Sequence, residues 1–410
     1  MSDSPTEISG RKRTRDLQVI VRNTDKKPYD NKSKTRVALT TIEMLLKTNP
    51  NAYILISVPT EVLKEQWMEE LIKWRIFDNC RVEIINSIVK TNWEVDLLIC
   101  DECHLLPSNQ FCKIFDCVKY KLIMCLTGTM ERLDGKEVII KQYAPICDTI
   151  TMDEAIENGW VSPVREYAVL IDADLSDYND WNQKFNGFFS FFDWDFNQSM
   201  QCAVNVIERR KYAKKMGISE KIVMANAMGF MKAMKARKDF VMSHPKKIEI
   251  ARKILDARKN KKCITFSATI KDAEKLANRG EYILHSKKSK KQNSETIDKF
   301  NEITTGVLHS SKAADCGVDV KGLSVGIILS TDSSKIRKTQ RNGRICRFED
   351  GKTAELFTLL IRGTQEVNWF RNSVTTSYQM ITEEQLEKIL NGEIIETRQH
   401  ENVENKNYRF

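Results

Sequence analysis

The sequence lacks the features that mark membrane, secreted and repeat proteins. No apolar run approaches the roughly 20 residues of a membrane-spanning helix, and the polar N-terminus has no signal-peptide core. Its 11 cysteines show no paired spacing, and we find no internal repeat and no nuclease run of the PD-(D/E)xK type. These absences predict reduced thiols, a cytoplasmic location and a chain that is not a self-contained nuclease.

The composition is that of a globular chain with a basic balance. Its 410 residues suffice for two or three domains, and 41% are hydrophobic and 30% charged. The net charge of +9 suits a polyanionic partner, because lysine and arginine on phosphates release condensed counterions. A solvated, lysine-rich surface explains the charge equally well. Basic clusters that could line a nucleic-acid strand or form such faces lie at 11–15, 209–215, 232–238, 258–262 and 287–291.

Short apolar runs alternate with amphipathic stretches along most of the chain. Runs this short suggest parallel strands covered on both faces, and the alternation predicts α/β lobes with sites at the carboxyl ends of strands. We expect strands at 53–58, 95–100 and 121–126 in one lobe, and at 262–266, 306–309, 325–330 and 354–360 in a second. A mainly helical insertion is predicted at 179–247. Packing in a core is favoured over base stacking for its aromatic cluster, which comprises Phe185, Phe188, Phe189, Phe191, Phe192 and Trp194.

Two adjacent acids directly follow the apolar run 95–100. Hydrolysis of ATP needs one carboxylate to hold Mg²⁺ and another to orient the attacking water. We therefore expect Asp101 to hold Mg²⁺ and Glu102 to polarise the water. Cys100 and Cys103 form a CxxC, but no second pair stands at zinc-site spacing, so a metal-thiolate site is disfavoured.

A second motif, QRNGRICR, begins at Gln340. Phosphoryl transfer spreads charge over the γ-phosphate oxygens, and an inserted arginine that neutralises it can accelerate the reaction by roughly 10³ to 10⁵. On a helix, Arg344 and Arg347 stand three residues apart and share a face. Both can then point at one phosphate, whereas the alternative is a basic helix on the surface.

Together, the DECH and QRxGRxxR motifs resemble those of superfamily-two DExH-box helicases, and the chain looks closest to phage and large-DNA-virus members related to XPB-type repair helicases. The resemblance covers roughly residues 30 to 375 and implies two tandem RecA-like parallel-sheet lobes with ATP and Mg²⁺ between them. The supporting motifs appear in the family's order, as VPT at 58–60, LTGT at 126–129, TFSAT at 265–269 and SSKAADCGVDV at 310–320.

The resemblance also implies roles for individual residues. His104 would meet Gln340 across the cleft, and Thr127 and Thr129 would relay the nucleotide state within lobe one. Gly317 would allow a close backbone approach, and Asp319 would contact the ribose or the catalytic water. The expected contacts to the nucleic-acid backbone are Pro59, Thr60, Thr265, Ser267 and Ser311. For each small hydroxyl taken alone, a turn or cap role is favoured over a ligand contact.

The phosphate-binding loop departs from the family pattern GxxxxGK[ST]. Lys34 and Thr35 stand where the phosphate lysine and the Mg²⁺ hydroxyl belong, but both glycines are missing. Asn31 tolerates the required left-handed backbone better than Ser33 does. Two explanations stay open: the loop binds nucleotide with reduced affinity, or the chain is a divergent copy with little ATPase activity.

These observations predict an ATP-dependent helicase or translocase that acts on DNA rather than RNA, without sequence preference. The predicted divisions are lobe one at 1–155, a linker and helical insertion that belongs mostly to lobe two at 156–247, lobe two at 248–375 and a C-terminal helix and tail at 376–410. Two alternatives are a nucleotide-impaired clamp on nucleic acid and the motor subunit of a larger complex. Protein partners from replication, repair or transcription, and a host-cell cytoplasm or virion location, follow by analogy only.

Overall fold

The computed structural model describes residues 33–128, 130, 135–150, 152–278, 280–311, 320–331, 353–374, 377–393 and 399–400. Their contacts divide them into two compact units, the first formed by residues 33–127 and 136–150 and the second mainly by residues from 152 onward. Both units are α/β with sheets of mainly parallel strands, as predicted. No helix among these residues is long and apolar enough to cross a membrane.

The first unit has a four-stranded parallel sheet in the order β2-β1-β3-β4. Its strands are β1 (Ile54–Val58), β2 (Cys80–Ile84), β3 (Trp93–Cys100) and β4 (Val118–Cys125). Its helices are α1 (Ser33–Thr48), α2 (Glu61–Lys73), α3 (Ile85–Ile88), α4 (Ile114–Cys117) and α5 (Glu137–Tyr143). Helix α1 buries Ala38, Leu39 and Ile42 against the sheet, and α2 buries Trp67 and Leu71. This packing fixes the start of α1 near the carboxyl end of β3.

The second unit has an eight-stranded sheet in the order β12-β11-β5-β10-β9-β6-β8-β7, parallel except for the β11–β12 pair. Its strands are β5 (Val164–Ile171), β6 (Lys262–Ser267), β7 (Tyr282–His285), β8 (Gly306–Ser311), β9 (Val325–Ile328), β10 (Ala354–Ile361), β11 (Tyr378–Thr382) and β12 (Gln399–His400). Its helices are α6 (Met152–Glu157), α7 (Ser176–Ser190), α8 (Phe196–Val204), α9 (Val206–Met216), α10 (Glu220–Met242), α11 (Pro245–Ala257), α12 (Ile270–Leu276), α13 (Lys290–Glu302), α14 (Gln365–Ser373) and α15 (Glu383–Leu390).

The sheet of the second unit extends beyond the predicted boundaries of 248–375. Strand β5 pairs with β10 over eight residues and with β11 on its other side. Both β5 and β11 therefore complete the same hydrophobic core as β10. Strand β5 lies in 156–247, most of which was predicted to belong to lobe two, and β11 lies in the region predicted as a C-terminal helix and tail.

Helices α7 to α10 form the predicted helical insertion. Most of its aromatic cluster is core: Phe192 is buried, and Phe189 packs against Phe230 with ring centroids 5.4 Å apart. Gly229 lets Phe188 lie against α10, because a Cβ there would meet the ring at 2.5 Å. Trp194 is the exception within the cluster, since 57% of it is exposed.

Candidate active site

The DECH acids lie in a tight turn at the carboxyl end of β3. The Asp101 N–H donates to the Ser57 carbonyl, which ties the turn to neighbouring β1 at 2.9 Å. Glu102 follows in the left-handed region, with φ 49° and ψ 47°. Non-glycine residues seldom adopt this conformation, and such strain clusters at functional sites. The turn presents the two carboxylates side by side.

Asp101 is held by two donors. Its Oδ1 accepts the Glu102 N–H at 2.9 Å, and its Oδ2 accepts the indole Nε1–H of Trp67 at 2.9 Å. Burial and the neighbouring Glu102 charge raise the pKa of Asp101, although Lys34 acts in the opposite direction. Trp67 and Asp101 stand 34 positions apart, so their contact leaves no local signal in the sequence.

Glu102 is paired on both oxygens. Lys34 Nζ lies 2.8 Å from its Oε1, and His104 Nδ1 lies 3.3 Å from its Oε2. Burial opposes ionisation of Glu102, but the hydrogen bonds and charges of His104 and Lys34 outweigh it and lower the pKa to about 2. Glu102 is therefore ionised at neutral pH, as an acceptor for a water proton must be.

His104 links the DECH turn to the LTGT segment. Its Nδ1 lies 3.0 Å from Thr127 Oγ1, and its ring is 4% exposed. The Cys103 N–H donates to the Leu126 carbonyl at 3.0 Å, which joins the same two segments through the backbone. A movement of Thr127 would therefore reach the Glu102 carboxylate through one side chain.

Lys34 projects from the first turn of α1, and 38% of its side chain is exposed. Burial works to lower its pKa, but the charges of Glu102 and Asp101 outweigh this effect and raise it. Ser33 begins α1, and Thr35 is half-buried beside Lys34. A helix N-terminus that carries a lysine favours an anion through both backbone N–H groups and charge. The loop residue Asn31 lies outside the described residues.

The DECH turn can provide one protein ligand for magnesium. No group of three or more His, Cys, Asp or Glu side chains in the described part of the chain could hold a metal ion by itself. Magnesium bound with a nucleotide needs only one or two carboxylates, because phosphate oxygens and water complete its shell. Asp101, which lies within the electrostatic influence of Lys34, fits that requirement.

The CxxC cysteines are buried free thiols. A hydrogen bond with Cys125 and burial raise the pKa of the Cys103 thiol well above its usual value. Such a thiol stays protonated and is neither a reactive nucleophile nor a ready metal ligand.

The residues predicted to contact nucleic acid differ in their burial and in their hydrogen bonds within the protein. Pro59 and Thr60 are half-buried at the start of α2, where the Thr60 hydroxyl accepts from Leu63 N and caps the helix. Thr265 is fully buried in β6 and its hydroxyl lies 2.9 Å from His309 Nδ1, so it has a partner inside the unit. This burial does not support the expected phosphate contact of Thr265.

Ser267 and Ser311 face each other at the carboxyl ends of β6 and β8. Both are buried, and the Ser267 hydroxyl has no hydrogen-bond partner among the residues that the structure describes. A buried unpaired hydroxyl at a strand end is available for a ligand in a way that the Thr265 hydroxyl is not. The remaining predicted site residues lie outside the described residues: Thr129, Gly317, Asp319, Gln340, Arg344 and Arg347.

The basic cluster at 258–262 is structural. Arg258 and Lys261 both bind Glu355, with the closest N–O distances at 2.9 and 2.7 Å. The Lys262 ammonium lies over the Phe300 ring, 4.7 Å from its centroid. Arg258 and Lys261 neutralise the buried Glu355 carboxylate, and Lys262 makes a cation–π contact. These three cations therefore contribute little to a binding path for nucleic acid.

The sequence matches a helicase family model and is similar to a known translocase. Residues 246–349 match the family described as the helicase conserved C-terminal domain. The chain is 24% identical over 350 residues to the DNA 3'-5' translocase XPB2 of Sulfurisphaera tokodaii, which covers 81% of this chain and 76% of that protein.

Among solved structures, Dbp5 of S. cerevisiae bound to RNA and ADP BeF3 is similar, with a TM-score of 0.52 and 14% identity over 87% of this chain and 86% of that one. The helicase domain of Pyrococcus furiosus Hef aligns with a TM-score of 0.47 and 16% identity over 84% of this chain and 94% of that one. The matched helicase C-terminal domain and the similarity to a DNA translocase identify the chain as an ATP-dependent helicase or translocase that acts on nucleic acid.

Proposed function

We propose that this protein is a DExH-type DNA translocase or helicase that hydrolyses ATP at the DECH turn of its first unit. The observation that carries the proposal is the convergence of Lys34, Asp101 and Glu102, with Lys34 Nζ 2.8 Å from Glu102 Oε1. Ion pairing also occurs in structural sites, but the strained turn and the open lysine favour a ligand here. The similarity to a DNA translocase favours DNA over RNA.

The roles proposed for the described residues follow from their contacts. Glu102, which is ionised and has a left-handed backbone conformation, would orient the attacking water. Lys34 would leave Glu102 for the phosphates of ATP, which carry more charge than one carboxylate. Asp101 and Thr35 would hold Mg²⁺, which when bound neutralises phosphate charge. Thr127 would report the nucleotide state through His104.

The remaining roles rest on the family resemblance. Arg344 and Arg347 would neutralise the γ-phosphate, and Gln340 would respond to His104. Gly317, Asp319 and Thr129 would contact or relay the nucleotide, and Asn31 and Ser33 would shape the phosphate loop. The contacts to the nucleic-acid strand would be Pro59, Thr60, Ser267 and Ser311. Thr265 would have only a structural role beside them. A phage or viral origin, a host-cell cytoplasm location and partners in replication, repair or transcription belong to the same proposal.

Substituting Glu102 by Gln tests the enzymatic core of the proposal. Gln keeps the shape of the side chain but cannot accept the water proton, and a positioned base contributes typically 10²- to 10⁴-fold. We expect phosphate release stimulated by single-stranded DNA to fall by roughly 10² or more, with ATP binding retained. Single-stranded, duplex and forked DNA and RNA should be compared in the same assay. If the wild type shows DNA-stimulated phosphate release and Glu102→Gln retains the full stimulated rate, another group orients the water.

A nucleotide-impaired clamp is the second candidate, because the phosphate loop lacks both glycines. In that case the wild-type protein would bind single-stranded DNA in a salt-dependent manner but release no phosphate above the level of Glu102→Gln. Phosphate release by wild type and variant side by side therefore separates the two candidates.

A further inference from the structure

We propose that Trp67 is a positioning residue, which fixes the Asp101 carboxylate for the magnesium–nucleotide complex. The inference rests on the proposed function, since it gives Asp101 the metal. It also adds a role that packing alone does not require. Trp67 is 2% exposed and lies on the same face of α2 as Leu71, so its ring would be buried in any case.

The direction of the indole N–H sets Trp67 apart from an ordinary core residue. The Nε1–H donates to Asp101 Oδ2 at 2.9 Å, whereas Oδ1 accepts the Glu102 N–H at 2.9 Å. With one donor on each oxygen, the carboxylate cannot rotate freely about its Cβ–Cγ bond. The lone pairs that stay open then have a fixed direction, which a small octahedral ion requires of its ligand.

The helix that carries Trp67 is itself anchored in the turns that precede the indole. The Thr60 hydroxyl caps its start, and Lys64 Nζ lies 2.8 Å from Glu83 Oε2 on the adjacent strand β2. Trp67 therefore approaches Asp101 from a rigid element rather than from a loop, as a residue that orients a metal ligand should. Thr60 is one of the residues proposed to contact the nucleic-acid strand. The same helix therefore links that proposed contact with the proposed magnesium ligand Asp101.

The test compares Trp67→Phe with Trp74→Phe in the full chain. Trp74 ends the same helix and packs against the same core, but at the opposite end of α2. Affinity for a fluorescent ATP analogue is measured with Mg²⁺ and with EDTA. We expect Trp67→Phe to weaken binding about tenfold with Mg²⁺, as the loss of one hydrogen bond to a charged group implies, and to leave binding in EDTA unchanged. Trp74→Phe should match the wild type in both conditions.

The outcomes separate this inference from the proposed function. If the wild type binds the analogue and Trp67→Phe behaves like Trp74→Phe, the positioning role is wrong and the proposed function stands. If the wild type binds no nucleotide, the proposed function and the positioning role both fall. If Trp67→Phe weakens binding of the analogue to the same degree with and without Mg²⁺, Trp67 has only a structural role.

A spectroscopic measurement does not depend on Trp67→Phe folding. The chain has seven tryptophans, so an ¹⁵N-edited spectrum has seven indole N–H signals to follow. In Asp101→Asn, the charged acceptor is lost, and we expect one indole signal to move strongly while the others stay in place. The same signal should move in the wild type when Mg²⁺ and ATP are added. Seven unshifted signals in Asp101→Asn would overturn the inference.

Discussion

The two units each contain a lysine–glutamate pair, and the two pairs differ in almost every physical respect. In the first unit, Lys34 and Glu102 are 38% and 22% exposed, and the pKa of Glu102 is lowered to about 2. In the second, Lys247 and Glu366 are 1% and 0% exposed, and burial raises the pKa of Glu366 while it lowers that of Lys247. The same chemical pair is thus open and strongly ionised in one place, and sealed in the other.

The other partners of the two pairs explain the contrast. Glu366 also accepts the Ile361 N–H at 3.0 Å, and Lys247 also donates to the Leu329 carbonyl at 2.8 Å. These bonds join α11, α14 and the ends of β9 and β10, so the sealed pair closes the fold. Lys34 donates to Glu102 from the edge of its unit, where a phosphate can replace the carboxylate. Exposure, rather than ion pairing itself, distinguishes the pair suited to a ligand.

The largest effect is expected when the sealed pair is broken. Lys247→Met leaves the Glu366 charge buried without a cation, which should lower the free energy of unfolding by about 3 to 5 kcal/mol. Urea denaturation measures this change in stability as a shift in the midpoint of the unfolding transition. Lys246→Met is the matched control, because Lys246 is only partly buried beside Glu383, and it should change stability by less than about 1 kcal/mol.

A double substitution shows whether charge is the cause. In Lys247→Met/Glu366→Gln no buried charge is left, and the Gln oxygen can still accept the Ile361 N–H. The double variant should therefore recover part of the lost stability. If it is as unstable as Lys247→Met alone, the loss comes from packing and not from the unpaired carboxylate.

The pH dependence of Lys247→Met sharpens the comparison further. Burial already raises the pKa of Glu366, and removal of Lys247 raises it more. A carboxyl whose folded pKa exceeds its unfolded value of about 4.3 contributes stability below that value, which is lost as the pH rises through the folded pKa. The deficit of Lys247→Met should therefore shrink as the pH falls from 7 toward 5. Urea midpoints at both pH values check this, and a deficit that grows on acidification would contradict it.

The smallest effect on stability is expected at the open pair. Lys34→Ala removes a partly exposed ion pair and should change the free energy of unfolding by less than about 1 kcal/mol. Nucleotide affinity should nevertheless fall about tenfold or more, as for the loss of a charged hydrogen bond to phosphate. Lys47→Ala on the same helix is the control, since Lys47 is 70% exposed beside Glu43. Equal nucleotide affinities in the two variants would contradict a phosphate role for Lys34.

Much of the fold could be predicted because buried parallel strands form short continuous apolar runs. Strands β1, β3 and β4 lie within a few residues of the predicted runs, and the DECH turn follows β3 as expected. Strand β2 gave no such signal, because this edge strand alternates buried and exposed residues from Cys80 to Val82. Strand β5 was missed because polar residues interrupt its first half, Val164–Tyr167, although its side chains are buried from Glu166 to Val169.

The sequence identifies candidate residues for the site but not the partners of those residues. A motif identifies Asp101 and Glu102, but the Trp67 bond depends on how α2 packs over the sheet. Thr265 and Ser267 looked equivalent in sequence, but the Thr265 hydroxyl has His309 on the neighbouring strand β8 as its partner, whereas the Ser267 hydroxyl has none within the described ranges. Long-range contacts of this kind have no local pattern that a single sequence can reveal.

The left-handed backbone at Glu102 has a consequence for anyone who wishes to trap this protein in a bound state. A residue branched at Cβ would clash with its own backbone at φ 49°, so Val or Thr there would misshape the turn as well as remove the carboxylate. Asn tolerates that conformation better than most side chains, and Gln preserves the length of the glutamate. Inactive versions intended for capturing complexes should therefore be chosen by backbone compatibility first and by chemistry second.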